Sequence, residues 1–126
     1  MTVGYFVGSF DMLDVVDLDL IAQARSQCSR LIVGVYTDAT VTDAVGRPPV
    51  MPLSERMTLL YHLRDVDEVI VHGVPGGVPD SDILRFSVAD EATPVTEPTV
   101  QLIARRTSRS TLLREAMASV SRKAVA

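Results

Sequence analysis

Between Thr2 and Leu20 the chain reads TVGYFVGSFDMLDVVDLDL, and this stretch constrains the fold more than any other. A short apolar run, Val3 to Val7, reaches Gly8. Ser9-Phe10-Asp11 follow, and a helix-like segment opens at Asp14. A strand, a tight turn and a helix start, in that order, present backbone N–H groups to a phosphate. The same stretch carries four aspartates, Asp11, Asp14, Asp17 and Asp19, where a phosphate site calls for neutral or positive groups. Scaffold and chemistry therefore point in different directions.

The rest of the chain repeats the alternation. Strand one is expected over Thr2 to Val7 and a helix over Val15 to Gln27, with Val15, Val16, Leu18, Ile21, Ala22 and Ala24 as its apolar face. Asp14 suits its N-cap, with Asp17 three positions on. The run LIVGVY marks a second strand, Arg30 to Tyr36, and its continuous apolarity suits a strand covered on both faces. Thr37-Asp38 ends it, and Asp43 to Pro52, rich in Pro and Gly, reads as a loop. A helix over Leu53 to Leu63, a strand over Asp67 to His72 and a Gly/Pro loop over Gly73 to Pro79 follow. A short helix is expected near Asp82 to Phe86, a strand over Val100 to Ala104 and a last helix over Ser110 to Val120. Strands alternating with helices imply an α/β fold with a mainly parallel sheet, a Rossmann-like three-layer α/β/α sandwich. The 126 residues, 47% of them hydrophobic, fit one domain spanning 1–126.

Net charge is −4, which disfavours a general nucleic-acid surface. Lys123 is the sole lysine, and Arg105, Arg106, Arg109, Arg114, Arg122 and Lys123 gather half of the 12 basic residues near the C-terminus. An anion site in the body must then use arginine, backbone amides or helix ends. Cys28 is alone and reads as a small packing residue. Without a signal peptide or a membrane-length apolar run, the expectation is a cytoplasmic protein with no membrane partner.

The residues also resemble a known family. Gly8, Phe10 and Asp11 match the opening G-x-F-D-x-x-H-x-G-H of the small cytidylyltransferases of the HxGH nucleotidyltransferase superfamily, glycerol-3-phosphate cytidylyltransferases in particular. LIVGVYTD, Leu31 to Asp38, is similar to that family's second strand and its S-T-D ending. Arg47, Pro48 and Pro52 resemble its K-x-R-P-x-x-P loop. Glu55-Arg56 and the run Arg64-Asp65-Val66-Asp67-Glu68-Val69 resemble its E-R helix and R-x-V-D-E-V segment. Arg106-Thr107, Ser110-Thr111 and Arg114 are similar to its R-T-x-G-I-S-T-T and I-S-S-T-x-x-R forms. The resemblance implies nucleotide binding by Gly8, Ser9, Phe10, Arg106, Ser110, Thr111 and Arg114, Mg²⁺ if a nucleotide is bound, and a homodimer; Arg47 and Arg56 read as contacts to an anionic substrate or as surface salt-bridging groups. The ligands it implies are a nucleotide such as CTP and a phosphorylated alcohol.

The chain departs from the family at its name-giving motif, where H-x-G-H is Asp14-Val15-Val16-Asp17. In the family both histidines resemble donors to the triphosphate; a carboxylate accepts hydrogen bonds and carries negative charge. Losing one such donor costs roughly 3–4 kcal/mol of transition-state stabilisation. His62 and His72, the two histidines present, are not placed to substitute. Asp11 reads as a turn residue or a functional one, and three readings of Asp14 and Asp17 stand side by side. Acids in a first helical turn favour the helix dipole by about 0.3–1 kcal/mol each. The two share a helix face and, with Asp11 nearby, could instead form a new acid–base or Mg²⁺ site acting on a different substrate. Nucleotidyl transfer could also persist with aspartates in place, making a CDP-alcohol such as CDP-glycerol. The reading taken forward is a cytidylyltransferase-like protein in which CTP-dependent transfer is lost or strongly weakened.

Overall fold

The computed structural model describes residues 2–74, 83–88, 100–103 and 116–117. Among these residues, five parallel strands form one sheet in the order β3-β2-β1-β4-β5. They are β1 (Val3–Gly8), β2 (Arg30–Val35), β3 (Glu68–Val71), β4 (Ile83–Val88) and β5 (Val100–Leu102). Helices α1 (Val15–Arg25), α2 (Asp38–Val45) and α3 (Leu53–Tyr61) connect the first three strands. β1 lies at the centre, pairing with β2 from Val3↔Arg30 to Gly8↔Val35 and with β4 from Val3↔Ile83 to Phe6↔Phe86. The chain leaves β1 in one direction to build β2 and β3, and returns to its other side for β4 and β5. The architecture is a Rossmann-like α/β fold whose strand order reverses between β1 and β4, and ligands of such sheets bind beyond the strand C-termini at that reversal.

Alternation along the strands explains the core. Phe6, Leu31, Val33, Val35, Phe86 and Leu102 share one sheet face and pack against Leu20, Ile21 and Ala24 of α1 and Leu60 of α3. Each buried side chain of this size contributes about 1.5–3 kcal/mol. The buried stripe of α1 is narrower than its sequence suggests. Leu13, Val16, Leu20, Ile21 and Ala24 face the core at helical spacing, whereas Val15, Leu18 and Ala22 are exposed. Cys28 packs beside Gly4, where an added Cβ would stand 2.7 Å from the Cys28 sulfur. Burial pushes its thiol pKa up, so it behaves as the small packing residue its isolation implied.

Two expectations are corrected here. The segment 83–88 is a strand, not a short helix: it fills the slot beside β1, and pairing with a central strand overrides a local preference in so short an apolar run. Residues 38–45, read as strand end and loop, form helix α2. Its sequence, DATVTDAV, is short and rich in weak helix formers. Its ends carry the signals that were overlooked. The Thr37 side chain caps the Thr40 amide at 3.2 Å, and Gly46 closes the helix at φ 84°. The last expected helix falls outside the described residues, apart from helical Ala116 and Met117.

Candidate functional site

The C-terminal rim of β1 is built from strained backbone and long-range ties. Phe10 and Met12 both adopt left-handed backbone, at φ 52° and 57°. Such a conformation costs a non-glycine residue about 1–2 kcal/mol and persists where surrounding contacts dictate it. Phe10 turns back under the strand. It is buried, meets Phe6 edge-on at 5.3 Å and lies where a side chain on Gly8 would press at 3.1 Å. Gly8 therefore makes room for a core aromatic, and Phe10 is the plug that shapes the turn.

Asp11 holds the next loop. Its Oδ2 accepts a hydrogen bond from the Val50 amide and its Oδ1 one from the Met51 amide, both at 2.8 Å. The carboxylate thus clasps the segment that precedes α3. Arg56, in the first turns of α3, completes the clasp from beneath. It is fully buried. Its Nε donates to Met51 O at 3.0 Å, one terminal nitrogen donates to both Ser9 O and Tyr36 O at 2.8 Å, and the other pairs with the Asp38 carboxylate. One guanidinium therefore joins the ends of β1 and β2, the start of α2 and the loop before α3. A buried cation is tolerated because carbonyls and a carboxylate replace its lost water.

Asp14 and Asp17 sit at the start of α1 and cap it reciprocally. Asp14 Oδ1 accepts from the Val16 amide at 2.9 Å and from the Asp17 amide at 3.3 Å, and Asp17 Oδ2 accepts from the Asp14 amide at 3.1 Å. This is a capping box with aspartate in the glutamate position. The helix-start amides that a phosphate would seek are engaged by carboxylate oxygens. Negative charge stands where the scaffold offers a positive helix end.

The structure therefore gathers Gly8, Ser9, Phe10, Asp11, Asp14, Asp17 and Arg56 around the end of β1, but in different capacities. Ser9 contributes its carbonyl to Arg56. Arg56 is interior rather than a surface salt-bridging group. Arg47 is exposed in the loop after α2. Arg106, Ser110, Thr111 and Arg114 lie outside the described residues. Among those described, no group of three His, Cys, Asp or Glu side chains is poised to hold a metal ion. No described helix is long and apolar enough to cross a membrane.

Sequence reasoning missed Arg56 as the hub of the rim and Gly34 as a slot in β2. Arg56 gave no local signal, since its partners are 5 to 47 positions away. Gly34 did: a lone glycine inside an apolar strand marks a close approach. There the Tyr5 phenol crosses the strand, in the space a Cβ would fill.

Comparison with known proteins matches residues 5–74 to the cytidylyltransferase-like family. The bifunctional protein HldE of Granulibacter bethesdensis is 42% identical over 71 residues, covering 56% of this chain and 15% of the relative. Ethanolamine-phosphate cytidylyltransferase of Arabidopsis thaliana is 42% identical over 66 residues, covering 52% of this chain and 15% of the relative. FAD synthase of Pyrococcus abyssi is 38% identical over 71 residues, covering 56% of this chain and 47% of the relative. The matched region thus spans less than half of each of these relatives. Among solved structures, the lipopolysaccharide core biosynthesis protein from Thermoplasma volcanium aligns with a TM-score of 0.66 at 21% identity. That alignment covers 86% of this chain and 99% of the other, a likeness of fold. With the family match extending over more than half its length and the parallel sheet to go with it, the chain belongs to the cytidylyltransferase-like family.

Proposed function

We propose that this is a cytidylyltransferase-like protein that keeps a nucleotide-shaped cleft at the end of β1 but has lost, or nearly lost, CTP-dependent transfer. The reciprocal cap of Asp14 and Asp17 carries this reading. It engages the Val16 and Asp17 amides and sets two carboxylates at the start of α1, just after the turn that ends β1. A triphosphate there would meet repulsion where the family's histidines offer donors. The two hydrogen bonds of Asp11 to the Val50 and Met51 amides support this reading over one in which Asp11, Asp14 and Asp17 act together on another substrate.

A nucleotide would approach the rim formed by Gly8, Ser9 and Phe10. Arg47 stands exposed within the same loop that Asp11 clasps, and Arg106, Ser110, Thr111 and Arg114 are the further phosphate contacts the family pattern supplies. Mg²⁺ is proposed as the companion of a bound triphosphate, since it keeps several waters and commonly needs only one or two protein carboxylates beside substrate phosphates. The Arabidopsis relative's name makes ethanolamine phosphate a sensible acceptor to test beside glycerol 3-phosphate. A cytoplasmic homodimer is the setting proposed for this protein.

Calorimetry with CTP and Mg²⁺, run beside a pyrophosphate-release assay with both phosphorylated alcohols, tests the proposal. Measurable nucleotide binding with no turnover is expected. Clear turnover with either acceptor would overturn it. Substituting Asp14→His, Asp17→His and Val16→Gly together should raise CTP affinity at least tenfold, since each regained charge-assisted contact is worth about 1.5–3 kcal/mol.

A further inference from the structure

β4 and β5 carry a polar pair on the sheet face turned away from α1 and α3. Phe86 and Val88 of β4 and Val100 and Leu102 of β5 all pack into the core beneath those helices, and they pair as Phe86↔Val100 and Val88↔Leu102. Ser87 and Gln101, the pair between them, therefore face the other way. A parallel sheet covered on both faces is ordinarily apolar on both. Gln101 is exposed, but Ser87 is only 8% exposed. The Ser87 Oγ has no hydrogen-bond partner, and among the described residues it is the one buried side-chain oxygen or nitrogen in that state.

Other polar groups of this face do meet partners. The Tyr5 hydroxyl lies 2.6 Å from Nδ1 of His72. Arg85, two residues before Ser87, is turned over the Tyr5 ring at 5.8 Å. Burial, with Arg85 assisting, holds His72 below the ordinary histidine value, so its ring is neutral near pH 7. A buried hydroxyl left unpaired costs stability that an alanine would not. That cost is accounted for when a ligand supplies the missing partner.

The place of Ser87 in the sheet fits such a ligand. It is the penultimate residue of β4, and β4 lies beside β1 where the strand order reverses, the point at which ligands bind beyond the strand ends. We propose that Ser87 anchors the uncharged part of the ligand, and that this chain holds a nucleoside by that part rather than by its phosphates. The proposal rests on the nucleotide-binding reading above and names the moiety that supplies the affinity. A hydroxyl both donates and accepts, so it meets the amide-like edge of a base or the hydroxyl of a sugar without needing a charge. Phosphate groups add little where carboxylate oxygens already hold the first amides of α1.

Titration calorimetry of the full chain with cytidine and with CTP, beside urea unfolding without ligand, tests this. Cytidine should bind within about threefold of CTP. Ser87→Ala should raise the urea midpoint of the unliganded chain, because the unpaired hydroxyl is gone. The same variant should bind cytidine and CTP more weakly by a common factor, about five- to tenfold. A clear CTP preference beyond about threefold, or unchanged cytidine affinity in Ser87→Ala, would overturn the proposal and leave the nucleotide-binding reading standing. So would a urea midpoint that stays or falls in Ser87→Ala, since the hydroxyl would then already be satisfied within the fold or by an ordered water. No binding of either compound by the natural protein would overturn the nucleotide-binding reading itself, and this proposal with it.

Discussion

Helices α1 and α3 both begin at the C-terminal rim of the sheet, yet they are secured in opposite ways. α1 is capped by its own residues: Asp14 and Asp17 satisfy each other's amides within one turn. α3 begins at Pro52, which makes no side-chain cap bond. The loop before it is instead held from afar, by Asp11 on the Val50 and Met51 amides and by Arg56 on Met51 O. The local cap engages the first amides of α1 with carboxylate oxygens. The long-range clasp fixes the loop before α3 against the ends of β1 and β2. A change at the first should alter charge and binding, and a change at the second should loosen the fold.

That division can be broken by experiment. Arg56→Ala leaves the Asp38 carboxylate and the carbonyls of Ser9, Tyr36 and Met51 without their donor. The half-exposed Asp38 carboxylate returns to water, but the carbonyls lose their donor at about 1–3 kcal/mol for each group left unsatisfied, the largest loss expected here, read as a lowered urea midpoint. Part of that is expected back in Arg56→Lys, which keeps the charge but not the planar fork. Asp11→Ala strips the acceptor from two amides and should lower stability by roughly 1–3 kcal/mol, with the loop at Val50 and Met51 exchanging faster. Asp14→Ala should cost least, about 1 kcal/mol on thermal unfolding, while easing anion binding at the α1 start. Should Asp14→Ala prove more damaging than Arg56→Ala, the contrast between a local cap and a structural clasp would be wrong.

The pH dependence of stability adds a smaller effect. His72 is held below its ordinary value in the folded chain, so near neutrality the folded state binds fewer protons than the unfolded chain. Stability from this group is then present at neutral pH and declines as pH falls through about 6.5, the unfolded histidine value. Urea midpoints taken across that range should fall in the natural protein and fall less in His72→Gln.

The same contrast explains what could be read in advance. The α1 cap was legible because Asp14 and Asp17 lie three residues apart, and a capping box is written entirely in neighbouring positions. The apolar runs of β1 and β2, with a helix between them, were legible for the same reason: each pattern repeats over two to four residues. β4 was misread because Ile83–Val88 is too short to declare its period, and its identity comes from lying beside β1. α2 was overlooked because weak helix formers hide a helix whose ends alone identify it.

By itself, then, the sequence determined the parallel α/β scaffold, the family and the carboxylates at the start of α1. These rest on spacing within a few residues and on motif identity. Only the tertiary structure decided that Arg56 is an interior clasp, that Asp11 holds a loop 39 positions away and that Tyr5 reaches His72 through Gly34. Such contacts depend on which strands become neighbours, and that is set by burial over the whole sheet rather than by any local pattern.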